Sequence, residues 1–359
     1  MKNFLYPTLH WFVRAIIFIF ILTSNSLYSQ YDKLASDVKV LYEGQIDDGP
    51  YIEILKKNLN VAVIKDGEVI TKEIPKTAIN IKFKPEASIY KGVSKIAAFS
   101  DLHGQYDLSL KLLEKNKIID KKGDWNFGDG HLVIVGDIFD RGDKVTDILW
   151  FLFKLEKQAF QQNGKVHYLL GNHEYMIFQK DLRHINKKYK KTSKLLNTTY
   201  TDLFGKNTVL GRWLRSKSTI VKINDVLYVH GGISPEFVNE AQNLGSLNSK
   251  MRKSIDIDID SKKFQNKYEK YFLDNSPVWY RGYFKDSLTE GDIDELLLGL
   301  NVNKIVVGHT SQNSVKSLFS NKIFVVDSSI KNGKKGQLLF IENGVFSKGT
   351  LNGNRKQFN

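Results

Sequence analysis

Six short apolar runs in this sequence each end at an aspartate, an asparagine or a histidine. The residues that close these runs, in chain order, are Asp101 and His103, Asp137, Asn172 and His173, His230, His309, and Asp327. Short apolar runs are typical of buried strands in an α/β protein, and such sheets place their chemistry just beyond the carboxyl ends of the strands. The pattern therefore predicts an α/β fold in which these distant side chains converge at one sheet edge.

The segments between these runs carry helix and hairpin signals. A crossover helix is predicted between the second and third runs, where apolar residues recur at helical spacing at positions 145, 148, 149, 152 and 155. Residues 292–298 predict another short helix, and residues 224–225 join two strand-like runs closely enough for a hairpin. Late strands are expected at residues 337–341 and 345–346. A crossover and a hairpin together predict a mixed sheet.

Composition limits the chemistry of the chain. The 359 residues include no cysteine, which excludes disulfides, thiolate zinc sites and a cysteine nucleophile. A phosphatase built on this chain therefore cannot form a phosphocysteine intermediate. The 53 lysines and arginines exceed the 39 aspartates and glutamates, and the formal net charge is +14. This excess favours anionic partners such as phosphorylated substrates, nucleic acid or an acidic envelope surface, without choosing among them.

The first thirty residues have the features of an export signal. Lys2 and Arg14 precede an apolar stretch at residues 15–22, and a polar segment comes after it. This apolar core of about eight residues is far shorter than the roughly twenty that a membrane-spanning helix needs. We therefore expect a signal peptide over residues 1–29, cleaved after Ser29, and a periplasmic or extracellular protein with no stable membrane span. An uncleaved amphipathic anchor is the alternative.

Residues 30–92 differ in pattern from the rest of the chain and predict a small β-rich extension without recognisable chemistry. Two apolar runs flank Asp66 and Gly67, a pair that is typical of a tight hairpin turn. Residues 79–83 alternate between apolar and polar side chains, as in a half-buried strand. At the other end of the chain, residues 348–359 form a polar tail that is expected to fray.

Residues 179–218 form a longer connection than two neighbouring elements need. Lysines at positions 187, 188, 190 and 191 precede apolar residues at helical spacing. One interpretation is a helical cap over the site whose basic side meets an acidic substrate. The other interpretation is a helix face that simply lies in solvent.

The polar residues at the ends of the runs match the needs of phosphate ester hydrolysis. That reaction needs a nucleophilic water, neutralisation of the oxygens around phosphorus, and a proton for the departing alkoxide. Two divalent metals can meet the first two needs, and they bind carboxylate and amide oxygens together with imidazoles. The residues of these types are Asp101, His103, Asp137, Asn172, His230 and His309. Arg141 adds a planar fork that matches two phosphate oxygens, which a lysine could not do.

Four motifs give the series a family resemblance. They are Asp-Leu-His-Gly at residues 101–104, Gly-Asp-Ile-Phe-Asp-Arg-Gly at residues 136–142, Gly-Asn-His-Glu at residues 171–174 and His-Gly-Gly at residues 230–232. The series resembles the calcineurin-like metallophosphoesterases, and within them the phosphoprotein-phosphatase branch with its bacterial Shewanella-like relatives. The resemblance implies a catalytic domain over residues 93–347, built as a β-sandwich of two mixed sheets flanked by helices, with a dinuclear manganese, iron or zinc centre at the strand ends.

The resemblance also implies a role for each matching residue. The resemblance implies that Asp101 and His103 bind the first metal and that Asp137 bridges the two metals. The ligands it implies for the second metal are Asn172, His230 and His309. His173 acts as the general acid, oriented by Asp140, while a metal-bridging hydroxide attacks phosphorus in line. Arg141 binds the phosphoryl group together with Asn172, and Arg281 is the second phosphate-binding arginine. Asp327 is either a partner for a ligand histidine or a plain cap at a strand end.

Two positions depart from the family pattern. Ser100 stands where a glycine often precedes the first aspartate. The segment Gly308-His309-Thr310 lacks the second histidine that many metallophosphoesterases outside this branch carry. The first metal then has fewer protein ligands and more water, which favours the protein-phosphatase branch over the nucleases and phosphodiesterases.

The sequence therefore predicts a secreted, metal-dependent phosphomonoesterase that acts on phosphoserine, phosphothreonine or phosphotyrosine in proteins. A hydrolase of dinucleoside polyphosphates is the enzymatic alternative. A third hypothesis is a non-catalytic protein that binds nucleic acid or envelope polyanions through its basic surface. The complete set of acid, phosphate-binding and metal-ligand residue types argues against that third hypothesis, and no specific nucleic acid partner is expected.

Overall fold

The structure is a computed structural model that describes residues 46–285 and 287–358. The predicted export signal at residues 1–29 lies outside the described residues and stays a prediction. The chain divides into two compact units, Met1–Ile81 and Lys82–Asn359. Among the described residues, none of the helices has the length and apolar character needed to cross a membrane.

The described part of the first unit is a three-stranded antiparallel sheet. Its strands, in sheet order, are β1 (Ile46–Ile54), β2 (Asn58–Lys65) and β3 (Glu68–Pro75). Asp66 and Gly67 turn β2 into β3 with positive φ angles of 51° and 80°, so the predicted hairpin is confirmed. The predicted strand at residues 79–83 is wrong. These residues alternate in exposure, but they lie outside every described strand.

Two six-stranded mixed sheets form the framework of the second unit. Their strands are β4 (Ile89–Tyr90), β5 (Lys95–Phe99), β6 (His131–Ile134), β7 (Lys165–Tyr168), β8 (Ile220–Ile223), β9 (Val226–Val229), β10 (Lys304–Val307), β11 (Lys316–Leu318), β12 (Ile323–Val325), β13 (Gln337–Glu342), β14 (Val345–Thr350) and β15 (Arg355–Gln357). The first sheet has the order β15-β14-β13-β5-β6-β7, and the second has the order β11-β12-β10-β9-β8-β4. Strands β5, β6 and β7 are mutually parallel, as are β9, β10 and β12. Five of the six predicted apolar runs overlap these strands, and the third, at residues 169–170, follows directly after β7.

Helices connect and flank the strands. They are α1 (Tyr106–Lys115), α2 (Val145–Gln161), α3 (Asn172–Phe178), α4 (Lys187–Leu195), α5 (Val209–Ser216), α6 (Val238–Ala241), α7 (Leu244–Ser254), α8 (Lys262–Lys267) and α9 (Glu290–Leu300). The predicted crossover helix is α2, and α9 contains the predicted helix at residues 292–298. Helices α4 and α5 lie within the connection at residues 179–218.

A shared apolar core lies between the two sheets. Ile96 and Ala98 enter it from β5, and Val221 and Tyr228 enter it from β8 and β9. Successive side chains of a strand point to opposite faces, so each strand gives one face to this core and the other face to helices or loops. The two sheets therefore form a sandwich, as the family resemblance implies.

Both limits of the second unit differ from the predicted limits of the catalytic domain. The unit begins at Lys82 rather than at residue 93, because the two-residue strand β4 pairs with β8. The predicted fraying of residues 348–359 is wrong for the described residues, because β14 extends past Lys348 and β15 pairs with it. Phe358 then packs edge-on against Phe324 at 5.2 Å between ring centroids. The side chains of β15 are polar and exposed, so no apolar pattern marks this strand.

A buried lysine links the start of the second unit to helices α2 and α5. Lys217 follows α5, is 1% exposed, and places its ammonium 4.5 Å from the centre of the Trp213 ring. The ammonium donates to Glu86 at 2.6 Å and also contacts Glu156 of α2. Burial alone would lower the pKa of Lys217, but the carboxylates of Glu156 and Glu86 raise it. The lysine therefore stays charged inside the fold.

Replacing Lys217 with methionine should lower the free energy of unfolding by about 3–5 kcal/mol, because two carboxylates lose their common cation. Urea denaturation followed by circular dichroism measures this loss. The matched control is Lys206→Met, at an exposed lysine, which should stay within about 0.5 kcal/mol of the wild-type protein. Equal losses of unfolding free energy in the two variants would show that Lys217 does not stabilise the fold through its buried ion pairs.

Candidate active site

One cavity of about 220 Å³ collects most of the predicted site residues. The predicted residues that line it are Asp101, His103, Asp137, Arg141, Asn172, His173, Arg281 and His309. Two further predicted residues, Asp140 and His230, are fully buried and contact this group from behind. The structure therefore brings together every residue that the sequence assigned to metal or phosphate binding.

The carboxylate of Asp137 lies at the centre of the cavity wall. Its Oδ2 atom is 3.2 Å from Nε2 of His230, 3.7 Å from Nε2 of His103 and 3.8 Å from Nε2 of His173. Burial alone would raise the pKa of Asp137, but the charges of His230, His173 and His103 hold it well below its usual value. The Asp137 carboxylate thus favours its ionised form and faces three imidazoles.

Two of these imidazoles are oriented by backbone carbonyls. Nδ1 of His103 lies 2.6 Å from the carbonyl oxygen of Phe139, and Nδ1 of His230 lies 2.7 Å from that of Val135. A carbonyl oxygen only accepts, so Nδ1 carries the proton in both rings and Nε2 faces Asp137. This is the arrangement by which proteins fix a metal-ligating histidine.

The other three ligand candidates, Asp101, Asn172 and His309, connect the ends of strands in the two sheets. Nε2 of His230 is 2.9 Å from the amide oxygen of Asn172. The backbone N–H of His309 donates to Asp101 at 2.9 Å, and the hydroxyl of Ser100 donates to the same carboxylate oxygen at 2.5 Å. Burial, followed by the charge of Asp327, raises the pKa of Asp101 well above its usual value.

His173 has a different partner from the other histidines. Its Nδ1 atom is 2.5 Å from a carboxylate oxygen of Asp140, while its Nε2 atom faces the cavity 3.5 Å from the guanidinium of Arg141. A carboxylate stabilises a protonated imidazole, whereas a backbone carbonyl only fixes the position of one proton. This pair therefore suits proton transfer at Nε2.

Two arginines line the cavity next to different histidines. The side chain of Arg141 is exposed, next to His173. The guanidinium of Arg281 donates to the carbonyl of His309 at 2.9 Å and to the hydroxyl of Thr310 at 3.0 Å. Both guanidiniums keep further N–H donors toward the cavity, because a guanidinium has five of them.

The backbone of the site is strained at most of its functional positions. Six residues have φ angles between 42° and 71°, in the left-handed region that non-glycine residues seldom adopt. They are Asp101, His103, Asp137, Asp140, Arg141 and His309. The loops also pack very closely: a Cβ atom added to Gly171 would lie 2.3 Å from Oδ1 of Asp137. Such unfavourable backbone conformations persist only where surrounding hydrogen bonds hold them in place.

Glu174 supplies many of those bonds. Its fully buried carboxylate accepts the backbone N–H groups of Asp137, Ile138 and Gly171 at 2.7–2.9 Å, and the hydroxyl of Tyr168 at 2.8 Å. Burial and the charge of Asp137 raise the pKa of Glu174, so these donors are what stabilises the ionised form. The glutamate belongs to the third motif, but its contacts could not be read from the sequence.

Four side chains of the cavity were not predicted to take part in the site. They are Met176, His184, Trp279 and Lys331. Trp279 is a near neighbour of Arg281 in the sequence, but the others come from elements whose path depends on packing. Asp327 accepts from the hydroxyl of Ser311 at 2.5 Å and from the N–H of Ser329 at 3.0 Å. These contacts fit the strand-end cap, the second of its two predicted roles.

The residues present fit a pair of divalent cations. Two groups of donors share Asp137, one with His103 and His173 and the other with His230 and His309. Nε2 of His309 is buried without a hydrogen-bond partner among the described residues, and burial with the nearby His230 lowers the pKa of His309 well below its usual value. A buried, unprotonated imidazole nitrogen is a ready metal ligand.

The family model for calcineurin-like phosphoesterases matches residues 94–313, more than half of the chain. The chain therefore belongs to the calcineurin-like phosphoesterase family, and it is a metal-dependent phosphatase. Phosphoesterases of this family bind two divalent metals, which the shared position of Asp137 accommodates.

The chain is similar to several proteins that are named as protein phosphatases. The chain is 43% identical to the crystal structure of the cold-active protein-tyrosine phosphatase of a psychrophilic Shewanella species, with a TM-score of 0.82 over 87% of this chain and 99% of that one. It is 26% identical to Shewanella-like protein phosphatase 1 of Plasmodium berghei, over 76% of this chain and 80% of the relative. Shewanella-like protein phosphatase 2 of Arabidopsis thaliana is 24% identical, over 67% and 72%.

Replacing Glu174 with glutamine should lower the free energy of unfolding by about 2–4 kcal/mol, because the amide group would point N–H donors at backbone N–H donors. Urea denaturation measures the loss, and titration calorimetry with manganese should show weaker binding as Asp137 shifts. The matched control is Glu295→Gln, at an exposed glutamate of α9. Wild-type stability and manganese affinity in Glu174→Gln would show that the loops do not depend on this carboxylate.

Proposed function

We propose that this protein is a dinuclear-metal-dependent phosphoprotein phosphatase with phosphotyrosine among its substrates. The observation that carries the proposal is the position of Asp137, whose single carboxylate oxygen lies within 3.8 Å of three histidine Nε2 atoms. A carboxylate shared by two groups of donors is what a pair of adjacent cations requires.

In this proposal, each ligand has a defined place. Asp101 and His103 would hold the first cation, and Asp137 would contact both. The residues that would hold the second cation are Asn172, His230 and His309. Two divalent cations, when bound there, supply an activated water and neutralise the phosphoryl oxygens. The neutral amide of Asn172 limits the negative charge of the site, which keeps it attractive to a phosphate dianion.

His173 is the general acid of the proposed reaction. Asp140 accepts a hydrogen bond from its Nδ1–H group and orients the ring, so Nε2 faces the cavity and can give a proton to the leaving oxygen. His103 and His230 instead have carbonyl partners at Nδ1, which suits neutral ligands. The difference in partners supports an acid role for His173, although it belongs to one of the donor groups that share Asp137.

Arg141 and Arg281 bind the phosphoryl group, and an apolar wall receives the rest of the substrate. The ring of Trp279 lies 5.5 Å from that of His309, and the side chain of Met176 also lines the cavity. Such a wall can contact the ring of a phosphotyrosine. The resemblance to a protein-tyrosine phosphatase over nearly the whole of that enzyme supports the same substrate class.

Replacing His173 with asparagine should lower kcat on an alkyl phosphate by about 10²–10⁴-fold, because an alkoxide leaves only if it is protonated. The loss should be much smaller on p-nitrophenyl phosphate, whose leaving group needs no proton, and this comparison is the internal control. Metal content by mass spectrometry should match that of the wild-type protein. Loss of a metal from the variant would instead make His173 a ligand.

Turnover of three substrates should test the substrate class. They are a tyrosine-phosphorylated peptide, the same peptide with phosphoserine, and diadenosine tetraphosphate, each assayed with manganese. We expect the fastest phosphate release from the phosphotyrosine peptide, complete inhibition by a chelator, and recovery when manganese returns.

Other outcomes would favour one of the alternative functions. Faster release of nucleotides from diadenosine tetraphosphate would identify a dinucleoside polyphosphate hydrolase. Absence of turnover, together with polyanion binding that survives chelation and weakens steeply with salt, would identify the non-catalytic alternative.

A further inference from the structure

The loop at residues 181–186 closes on the backbone of Arg141. The N–H of Arg141 donates to the carbonyl of His184 at 3.0 Å. The side-chain amide of Asn186 donates to the carbonyl of Arg141 at 2.7 Å. Both backbone polar groups of the arginine are therefore held by one short segment, which is the first part of the predicted cap at residues 179–218.

Arg141 needs such support because its backbone conformation is unfavourable. Its φ angle is 66°, and that of the preceding Asp140 is 71°. Each left-handed non-glycine residue costs about 1–2 kcal/mol relative to ordinary backbone. Without partners for its N–H and C=O groups, this stretch would relax and carry the exposed guanidinium away from His173.

The same asparagine also begins helix α4. The side-chain oxygen of Asn186 accepts the backbone N–H of Lys188 at 2.9 Å and so caps the helix. The side chain of Lys188 donates to the carbonyl of Asp143 at 2.8 Å, and the hydroxyl of Tyr189 donates to that carbonyl at 3.0 Å. Helix α4 is therefore hydrogen-bonded to the residues that follow Arg141. The side-chain amide of Asn186 contacts both the start of this helix and the backbone of Arg141.

We propose that Asn186 is a positioning residue that holds Arg141 in its phosphate-binding conformation. This inference rests on the proposed function, in which Arg141 binds the phosphoryl group. The connection at residues 179–218 then acts on the site through two hydrogen bonds to the backbone of Arg141, rather than through direct contact between its lysines and the substrate.

The test separates the two functions of the amide. Asn186→Ser keeps a good helix cap but is too short to reach the carbonyl of Arg141 as well. It should raise KM and the inhibition constant of inorganic phosphate by about fivefold, the value of one lost hydrogen bond, with kcat changed by less than about twofold. Asn186→Asp, which also caps but cannot donate, serves as the second variant if the serine variant folds poorly.

Asn243→Ser is the matched control. Asn243 caps helix α7 through the N–H of Ser246 at 2.9 Å, is exposed, and does not line the cavity. Both variants keep a cap of the same kind, so the fall in the melting temperature of Asn243→Ser measures the change of cap alone, and that of Asn186→Ser should be larger because it also loses the bond to Arg141. Its KM and phosphate inhibition constant should equal those of the wild-type protein.

A double-mutant cycle with Arg141→Ala decides whether Asn186 acts through the arginine. In that background, Asn186→Ser should change the phosphate inhibition constant by less than about twofold, since the coupled partner is already gone. The same fivefold change with and without Arg141, or no change in either, would overturn the proposal. A wild-type protein that hydrolyses no phosphomonoester would instead refute the proposed function on which it rests.

Discussion

The active-site loops depend on one buried carboxylate that satisfies backbone donors from two separate strand ends. Glu174 bonds to the N–H groups that follow β6 and to the N–H of Gly171 after β7. Those loops carry the central aspartate, the acid pair and the amide ligand candidate. Because several of their residues are held in left-handed conformations, an alternative path would be lower in local energy. The hydrogen bonds of Glu174 compensate for that strain, and they leave the Asp137 carboxylate free to face the imidazoles.

The pKa values of the histidines around Asp137 indicate how the site would accept cations. Burial alone would lower the pKa of His230, but the charges of Asp137 and Asp101 raise it to about 9. Burial lowers the pKa of His103 to about 3, although the charge of Asp137 opposes the shift. His230 thus carries a proton between two acidic residues, while His103 stays neutral. Cations bound by these residues would replace that proton, so binding should release protons and weaken as the pH falls.

Sequence reasoning found the strands and the polar residues at their ends because burial of both sheet faces leaves a readable apolar run. The edge strands β4 and β15 were missed for the opposite reason: β4 has two residues, and the side chains of β15 are exposed. The family motifs identified the side chains that carry the chemistry. The motifs did not reveal the contacts of Glu174, nor the approach of His184, Met176 and Lys331 to the cavity. Those features depend on the path of loops and on side-chain to backbone hydrogen bonds, which leave no periodic signal.

The site is also a junction between the two sheets, which explains why its residues are spread over the chain. The first sheet supplies Asp101 from β5, Asp137 from β6 and the residues after β7, whereas His230 and His309 follow β9 and β10 of the second. The bonds from His309 to Asp101 and from His230 to Asn172 both cross from one sheet to the other. The donor group that joins Asp137 to His230 and His309 can therefore form only when the apolar core between the sheets is packed. Cations that bind this junction but not the unfolded chain must stabilise the sandwich itself, so metal binding and sheet packing are thermodynamically coupled.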